Sequence, residues 1–273
     1  MKTLLTCVAI ALVAMTSFGH DMYLVLPNHY FPSGSPVTIA LYNGTFDTSE
    51  NTIDRDRMLD VRVIDGNNRG SHPSEEQWRE DGKVTFLDIQ SGSPGTYVVG
   101  VSTAQRMIEL TADEFNEYLE HDGVLDVIEA RRRDGTADQP AAERYSKHVK
   151  TILQVGESAT ESYGHRLGYP IEIVPLANPA TLSAGGELEA LVLAEGKPVA
   201  GQLVYASYEG FHSHDDSGSH REAATLRTDE KGIVRVEITR SGRWYLRLIR
   251  MLPSDDEGVD YESNWATLTF EVQ

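Results

Sequence analysis

Apolar and polar residues alternate in short runs along most of this chain, and clusters of Gly, Pro and Asn separate the runs. Side chains of a strand point to opposite faces in turn, so a half-buried strand carries an apolar residue at every second position. Residues 22–26 form a short apolar segment that ends at Pro27. Residues 37–42 follow the turn Pro32-Ser33-Gly34-Ser35-Pro36 and read as a strand. Val61 and Val63 alternate with polar neighbours before Asp65-Gly66-Asn67-Asn68, and similar runs fill 84–89 and 97–101. Strands of this length between turn residues predict a sandwich.

The period then changes. Thr111 and Glu114 match a capping box, and Phe115, Tyr118 and Leu119 recur at helical spacing behind it. Val124, Val127 and Ile128 predict a second helix over 124–133. Pro140 suits a first helical position and predicts a third helix running through Tyr145. Residues 149–155 read as a returning strand. The helical stretch, about 111–147, is too short to bury a core of its own and is predicted as an insertion in the first β domain.

Residues 171–175 close that domain, and Asn178-Pro179 starts a linker. Alternating runs at 188–193, 203–208, 225–228, 233–238, 244–248 and 266–272 follow, with Asp229-Glu230-Lys231-Gly232 as a hairpin turn. Six or seven strands in this span fit an Ig-like or transthyretin-like sandwich. The predicted fold is mainly β. It has two β-sandwich domains, residues 20–177 with the helical insertion and residues 182–273.

Composition adds a location. Lys2 precedes a charge-free apolar run from Leu4 to Phe18, and Ser17 and Gly19 are the small residues a signal peptidase reads, with cleavage expected before His20. The run is shorter than the roughly 20 residues of a spanning helix. Residues 1–19 are therefore expected to be an export signal, and the processed chain a soluble periplasmic protein. The single cysteine, Cys7, leaves with the signal, so no disulfide can form. A net charge of −18 over 273 residues disfavours phosphate backbones and anionic lipid, so neither nucleic-acid binding nor membrane insertion after processing is expected.

No Gly-rich phosphate loop, G-x-S-x-G elbow or His-Glu-x-x-His motif is present, and no enzyme activity is expected. His20 is the most informative residue. Cleavage before it puts an α-amino group and an imidazole on one residue, and both lose protons near neutrality. Such nitrogens suit nickel, copper or zinc, and Asp21 offers an oxygen. A second cluster runs from Phe211 to His220. His212 and His214 share one side of an extended strand, Asp215 and Asp216 follow, and His220 closes the run. A solvated polar loop explains the same residues. The other histidines, His29, His72, His121, His148 and His165, read as surface or core residues.

Four stretches carry a resemblance: His20-Asp21-Met22-Tyr23-Leu24, Phe115-Asn116-Glu117-Tyr118-Leu119 before Asp122-Gly123, Glu143-Arg144-Tyr145-Ser146-Lys147, and residues 261–270 from Tyr261 to Phe270. In these the chain resembles the bacterial domain-of-unknown-function family 4198, exported proteins associated with nickel or cobalt uptake. Gly196-Lys197-Pro198-Val199 and residues 228–232 look like the carboxypeptidase-regulatory type of sandwich. The resemblance implies a periplasmic accessory protein handling a divalent transition metal (nickel, cobalt or copper) beside a membrane metal transporter. His20 carries over as a ligand; Ile249-Arg250-Met251 stands where the family commonly has a histidine.

The expected function is therefore metal binding or delivery, with His20, Asp21, His212, His214 and His220 as candidate ligands. The alternative is a structural or interaction module of the envelope without metal. A third reading, a copper redox enzyme with an N-terminal histidine brace, requires a second histidine meeting His20 in space.

Overall fold

The computed structural model describes residues 20–214 and 220–273, less the side chains of His214, His220 and Arg221. The expected export signal and the Asp215–Ser219 part of the loop lie outside the described residues. Among those residues the chain is mainly β with two α-helices. The strands used below are β1 Asp21–Val25, β2 Pro36–Gly44, β3 Met58–Ile64, β4 Trp78–Asp81, β5 Val84–Gln90, β6 Gly95–Thr103 and β7 Arg106–Leu110. Helices α1 Ala112–His121 and α2 Leu125–Asp134 come next. Then follow β8 Ala141–Val155, β9 Ile171–Pro175, β10 Glu187–Ala194, β11 Leu203–Tyr208, β12 Ala224–Arg227, β13 Ile233–Glu237, β14 Gly242–Pro253 and β15 Tyr261–Val272.

Two layers make each half. In the first, the four-stranded sheet β1-β2-β5-β4 covers one end of a long ten-stranded sheet. Met22, Leu24, Val37, Ile39, Leu41, Leu87 and Ile89 meet Val61, Val99, Val101, Val149 and Leu153 between them. In the second half, β9, β10 and β13 cover the other end, and Ile173, Leu188, Val192 and Val236 pack on Trp244, Leu246, Leu268 and Phe270. This alternation is what a two-layer sandwich needs, because each inner face must be apolar at every second residue.

The two halves share one sheet. Seven of its ten strands run in the order β12-β11-β14-β15-β8-β6-β3, and the joint is the parallel pairing of β8 with β15 from Glu143↔Tyr261 to Thr151↔Thr269. Strand β1 lies across this joint. Its Met22 and Leu24 point into the first core, while Tyr23 and Val25 pack with Phe46 and Tyr245. Its carbonyls are also held from the C-terminal strand. Thr267 donates to the Met22 oxygen at 2.8 Å and Thr269 to the Leu24 oxygen at 2.6 Å.

The capping box expected at Thr111 is present. The Thr111 hydroxyl accepts the Glu114 amide at 3.4 Å, and the Glu114 carboxylate accepts the Thr111 amide at 3.0 Å. Thr111→Ala removes the side-chain half of that box and is expected to cost about 1 kcal/mol, read as a shift in the urea midpoint at unchanged slope. Helix α1 ends at Asp122. Helix α2 ends at Gly135, whose φ of 71° is the left-handed C-cap conformation that glycine adopts without strain. Phe115, Tyr118, Leu119, Val127 and Ile128 bury against Ile249, Met251 and Trp265 of the long sheet.

The third predicted helix is not formed. Residues 141–145 are the start of β8, paired antiparallel with β7 on one side and parallel with β15 on the other. The helical stretch therefore ends at Asp134, short of the predicted 147. Pro140 and Ala141-Ala142-Glu143-Arg144 suit a helix locally, but two ready sheet neighbours outweigh a propensity worth tenths of a kcal/mol per residue.

Candidate functional site

His20 and Asp21 sit at the start of β1, where the edge of the first sheet meets the shared sheet and the end of α1. The backbone of this end is fixed from below. Lys147 of β8, only 4% exposed, donates through Nζ to the His20 carbonyl and, at 3.3 Å, to Asn43 Oδ1. Its ammonium also stands 5.0 Å from the Trp265 ring centroid. Burial pushes the Lys147 amine down to about 8, against the pull of the Asp21, Asp122 and Glu143 carboxylates.

The His20 imidazole is partly buried and lies 3.3 Å from Glu50 through Nε2. Burial lowers its pKa, Glu50 and Asp21 oppose that, and the charges of Lys147 and His121 add to it. His121 thus lies within electrostatic reach of His20, although 101 positions of sequence separate them in a chain read as scattered histidines. Its Nδ1 is 3.0 Å from Asp122 Oδ1, and that hydrogen bond raises the His121 pKa.

Asp21 is committed to an ion-pair network. Its carboxylate accepts the Tyr23 hydroxyl at 3.2 Å and lies 3.5 Å from Arg247 Nε. Arg247, 7% exposed, also bonds Glu222 at 2.8 Å and donates to the Asp122 carbonyl at 3.0 Å. Tyr245 donates to the other Glu222 oxygen at 2.5 Å. Next to Asp122, Gly123 has φ 74°, and the Tyr205 hydroxyl donates to its carbonyl at 2.8 Å. A Cβ at Gly123 would stand 2.3 Å from that hydroxyl, so the corner between α1 and α2 closes on Tyr205 only with glycine there.

Two further carboxyls are buried in the same place. Burial lifts Asp122 to about 6 despite its bond from His121, and its Oδ2 has no partner among the described residues. Burial lifts Glu143 to about 7, although the Tyr118 hydroxyl donates to it at 3.1 Å and the Ser263 hydroxyl also donates. The site is thus a buried ionic junction: Asp21, Asp122, Glu143 and Glu222 with Lys147 and Arg247, and two histidines at its rim.

Sequence placed His20 and Asp21 here but missed His121, Asp122, Glu143, Lys147 and Arg247. Two of the resemblance-bearing stretches contain or abut all of these but Arg247, the one signal that could have pointed to the group. His212 is exposed, ahead of the short hairpin in which Ser213–His214 pairs with His220–Arg221 and His214 is in register with His220. The side chains of His214 and His220, named as candidate ligands, lie outside the described residues. The base of that hairpin is nonetheless tied to the junction, because Glu222 bonds Arg247, which faces Asp21. Among the described residues no three His, Cys, Asp or Glu side chains are arranged to hold a metal ion.

The fold and the junction define a mainly β two-sandwich protein with its N-terminal strand wedged into an ionic core. The chain belongs to the family described as Domain of unknown function (DUF4198), which matches residues 17–251. The match stops before the Tyr261–Phe270 stretch on which the resemblance also rested. No curated protein matches the chain. Among solved structures it is similar to a chimeric titin Z1Z2-Z1Z2 tandem (10% identity, 92% of this chain and 96% of that chain, TM-score 0.20). It is also similar to the D0-D1 domain of intimin (12% identity, 92% and 97%, TM-score 0.22) and to trypsin-activated alpha-2-macroglobulin from Escherichia coli (9% identity, 93% and 16%, TM-score 0.23).

Proposed function

We propose that this chain is an exported periplasmic protein that binds or delivers a divalent transition metal (nickel, cobalt or copper), with His20 as the anchor. The observation that carries this reading is the seat of His20. Lys147 grips its carbonyl, an atom that chelation by amine and imidazole does not use. The lowered pKa of the imidazole favours the neutral form a metal needs. Carboxylates outnumber cations around it, which attracts a divalent ion despite Lys147. Asp21 acts in this reading through charge, its oxygens being engaged by Tyr23 and Arg247. Export rests on the apolar leader of residues 4–18, and no helix among the described residues is long and apolar enough to cross a membrane.

Calorimetric titration with copper(II), nickel(II) and cobalt(II) tests the anchor. Protein beginning at His20, its N-terminus verified by mass spectrometry, is expected to bind at least one of these ions at micromolar concentration. One extra residue before His20 turns the amine into an amide and is expected to weaken binding at least about tenfold. Equal binding by both forms removes His20 as anchor. No binding by either leaves the envelope interaction module as the function.

A further inference from the structure

We infer that His121, oriented by Asp122, is the second imidazole of the metal site anchored at His20, taking a divalent ion that favours nitrogen donors, copper(II) or nickel(II). The inference rests on the function proposed above and adds to it a residue at the far end of α1.

Three observations carry it. First, His20 and His121 flank one guanidinium: Arg247 lies 3.5 Å from the carboxylate of Asp21, beside His20, and donates at 3.0 Å to the carbonyl of Asp122, beside His121, so the position of His121 is fixed rather than incidental. Helix α1 is pinned by buried Phe115, Tyr118 and Leu119, and the backbone just past His121 is held by Arg247 at Asp122 and by Tyr205 at Gly123. Second, the His121–Asp122 pair has the form seen around metal-ligating histidines, in which a carboxylate bonds one ring nitrogen and sets the orientation of the other. Third, Asp122 is 5% exposed and its Oδ2 meets no donor among the described residues. A buried carboxylate oxygen left without a donor is costly, and a nearby cation relieves that cost.

The donors are then the amine and imidazole of His20 and the imidazole of His121. Three nitrogens suit copper and nickel better than calcium or magnesium, which take oxygen. One of the three is the amine that processing creates. The side-chain carboxylates acting on His20 are Glu50 and Asp21, against the one ammonium of Lys147.

Copper(II) titrated into four proteins separates the alternatives: the chain beginning at His20, its His121→Gln and Asp122→Asn variants, and the form extended by one residue. Glutamine keeps an amide donor for Asp122 Oδ1 on a side chain that is 59% exposed, so His121→Gln is expected to stay folded, which thermal unfolding checks. His121→Gln should weaken copper binding by about 100-fold and remove one coordinating nitrogen from the electron paramagnetic resonance spectrum. Asp122→Asn should keep the nitrogen count and weaken binding by about 10-fold. If His121→Gln binds copper like the parent with an unchanged spectrum while the extended form does not bind, His121 is not a ligand and His20 remains the anchor. Parental affinity in Asp122→Asn overturns the orienting role. If the parent itself does not bind, both the inference and the function it rests on fall.

Discussion

Replacing Glu172 by alanine is expected to destabilise the protein by about 3–5 kcal/mol. Glu172 and Lys150 form an ion pair at 3.0 Å in which each side chain is 3% exposed. The carboxylate also accepts the amides of Leu167 at 2.9 Å, Gly168 at 2.6 Å and Tyr169 at 3.0 Å, closing the loop that leads into β9. Alanine strands the Lys150 ammonium in the core of the second sandwich and leaves three amides without an acceptor. Removing one partner of a buried pair costs far more than the intact pair contributes, because the survivor keeps its desolvation penalty. Glu172→Ala/Lys150→Met should therefore be more stable than Glu172→Ala alone, and urea unfolding of the four proteins gives the coupling directly.

The sign of the pH dependence follows from the same contacts. Burial alone raises the pKa of Glu172, but Lys150 and the loop amides outweigh it and hold the carboxyl below its ordinary 4.5. A depressed carboxyl contributes stability that is present above the unfolded pKa and lost as pH falls through the folded one. The advantage of wild type over Glu172→Ala should shrink as pH falls below about 4.5. An advantage unchanged well below that pH would mean that the loop and the lysine do not depend on the ionised carboxyl.

Much of the fold is legible in the sequence because it is written locally. The alternation at 37–42 and 84–89 finds β2 and β5, and Thr111 with Glu114 finds the first turn of α1. What the sequence hides is set by distant partners. Ala141-Ala142-Glu143-Arg144 looks helical until β7 and β15 are brought to either side of it. The same holds for the site. His20 announces itself through the expected cleavage, whereas Asp122, Glu143 and Lys147 are ordinary surface types in the sequence, and only burial gives them meaning. His121 looks like one more scattered histidine because its relation to His20 depends on β1 crossing the joint between β8 and β15.

That dependence on packing makes Phe115→Ala the second large effect, and one that reaches the site. Phe115 is fully buried, stacks on Tyr261 with ring centroids 5.4 Å apart, and lies under the Arg131 guanidinium at 4.9 Å. Truncating a buried phenylalanine costs about 3–5 kcal/mol, the transfer term plus the cavity left behind. Here the loss falls on the helix that carries His121, so α1 should loosen from the long sheet before either sandwich core opens. Hydrogen exchange is expected to quicken across α1 and α2 while Leu246 and Leu268, deep in the second core, keep their protection. Copper(II) affinity should drop in Phe115→Ala as in His121→Gln, whereas Phe270→Ala, whose ring is equally buried but lies in the other core, should lower stability by a similar amount and leave affinity nearly intact in the folded protein. If both truncations reduce affinity equally, metal binding depends on global stability and not on where α1 holds its last residue.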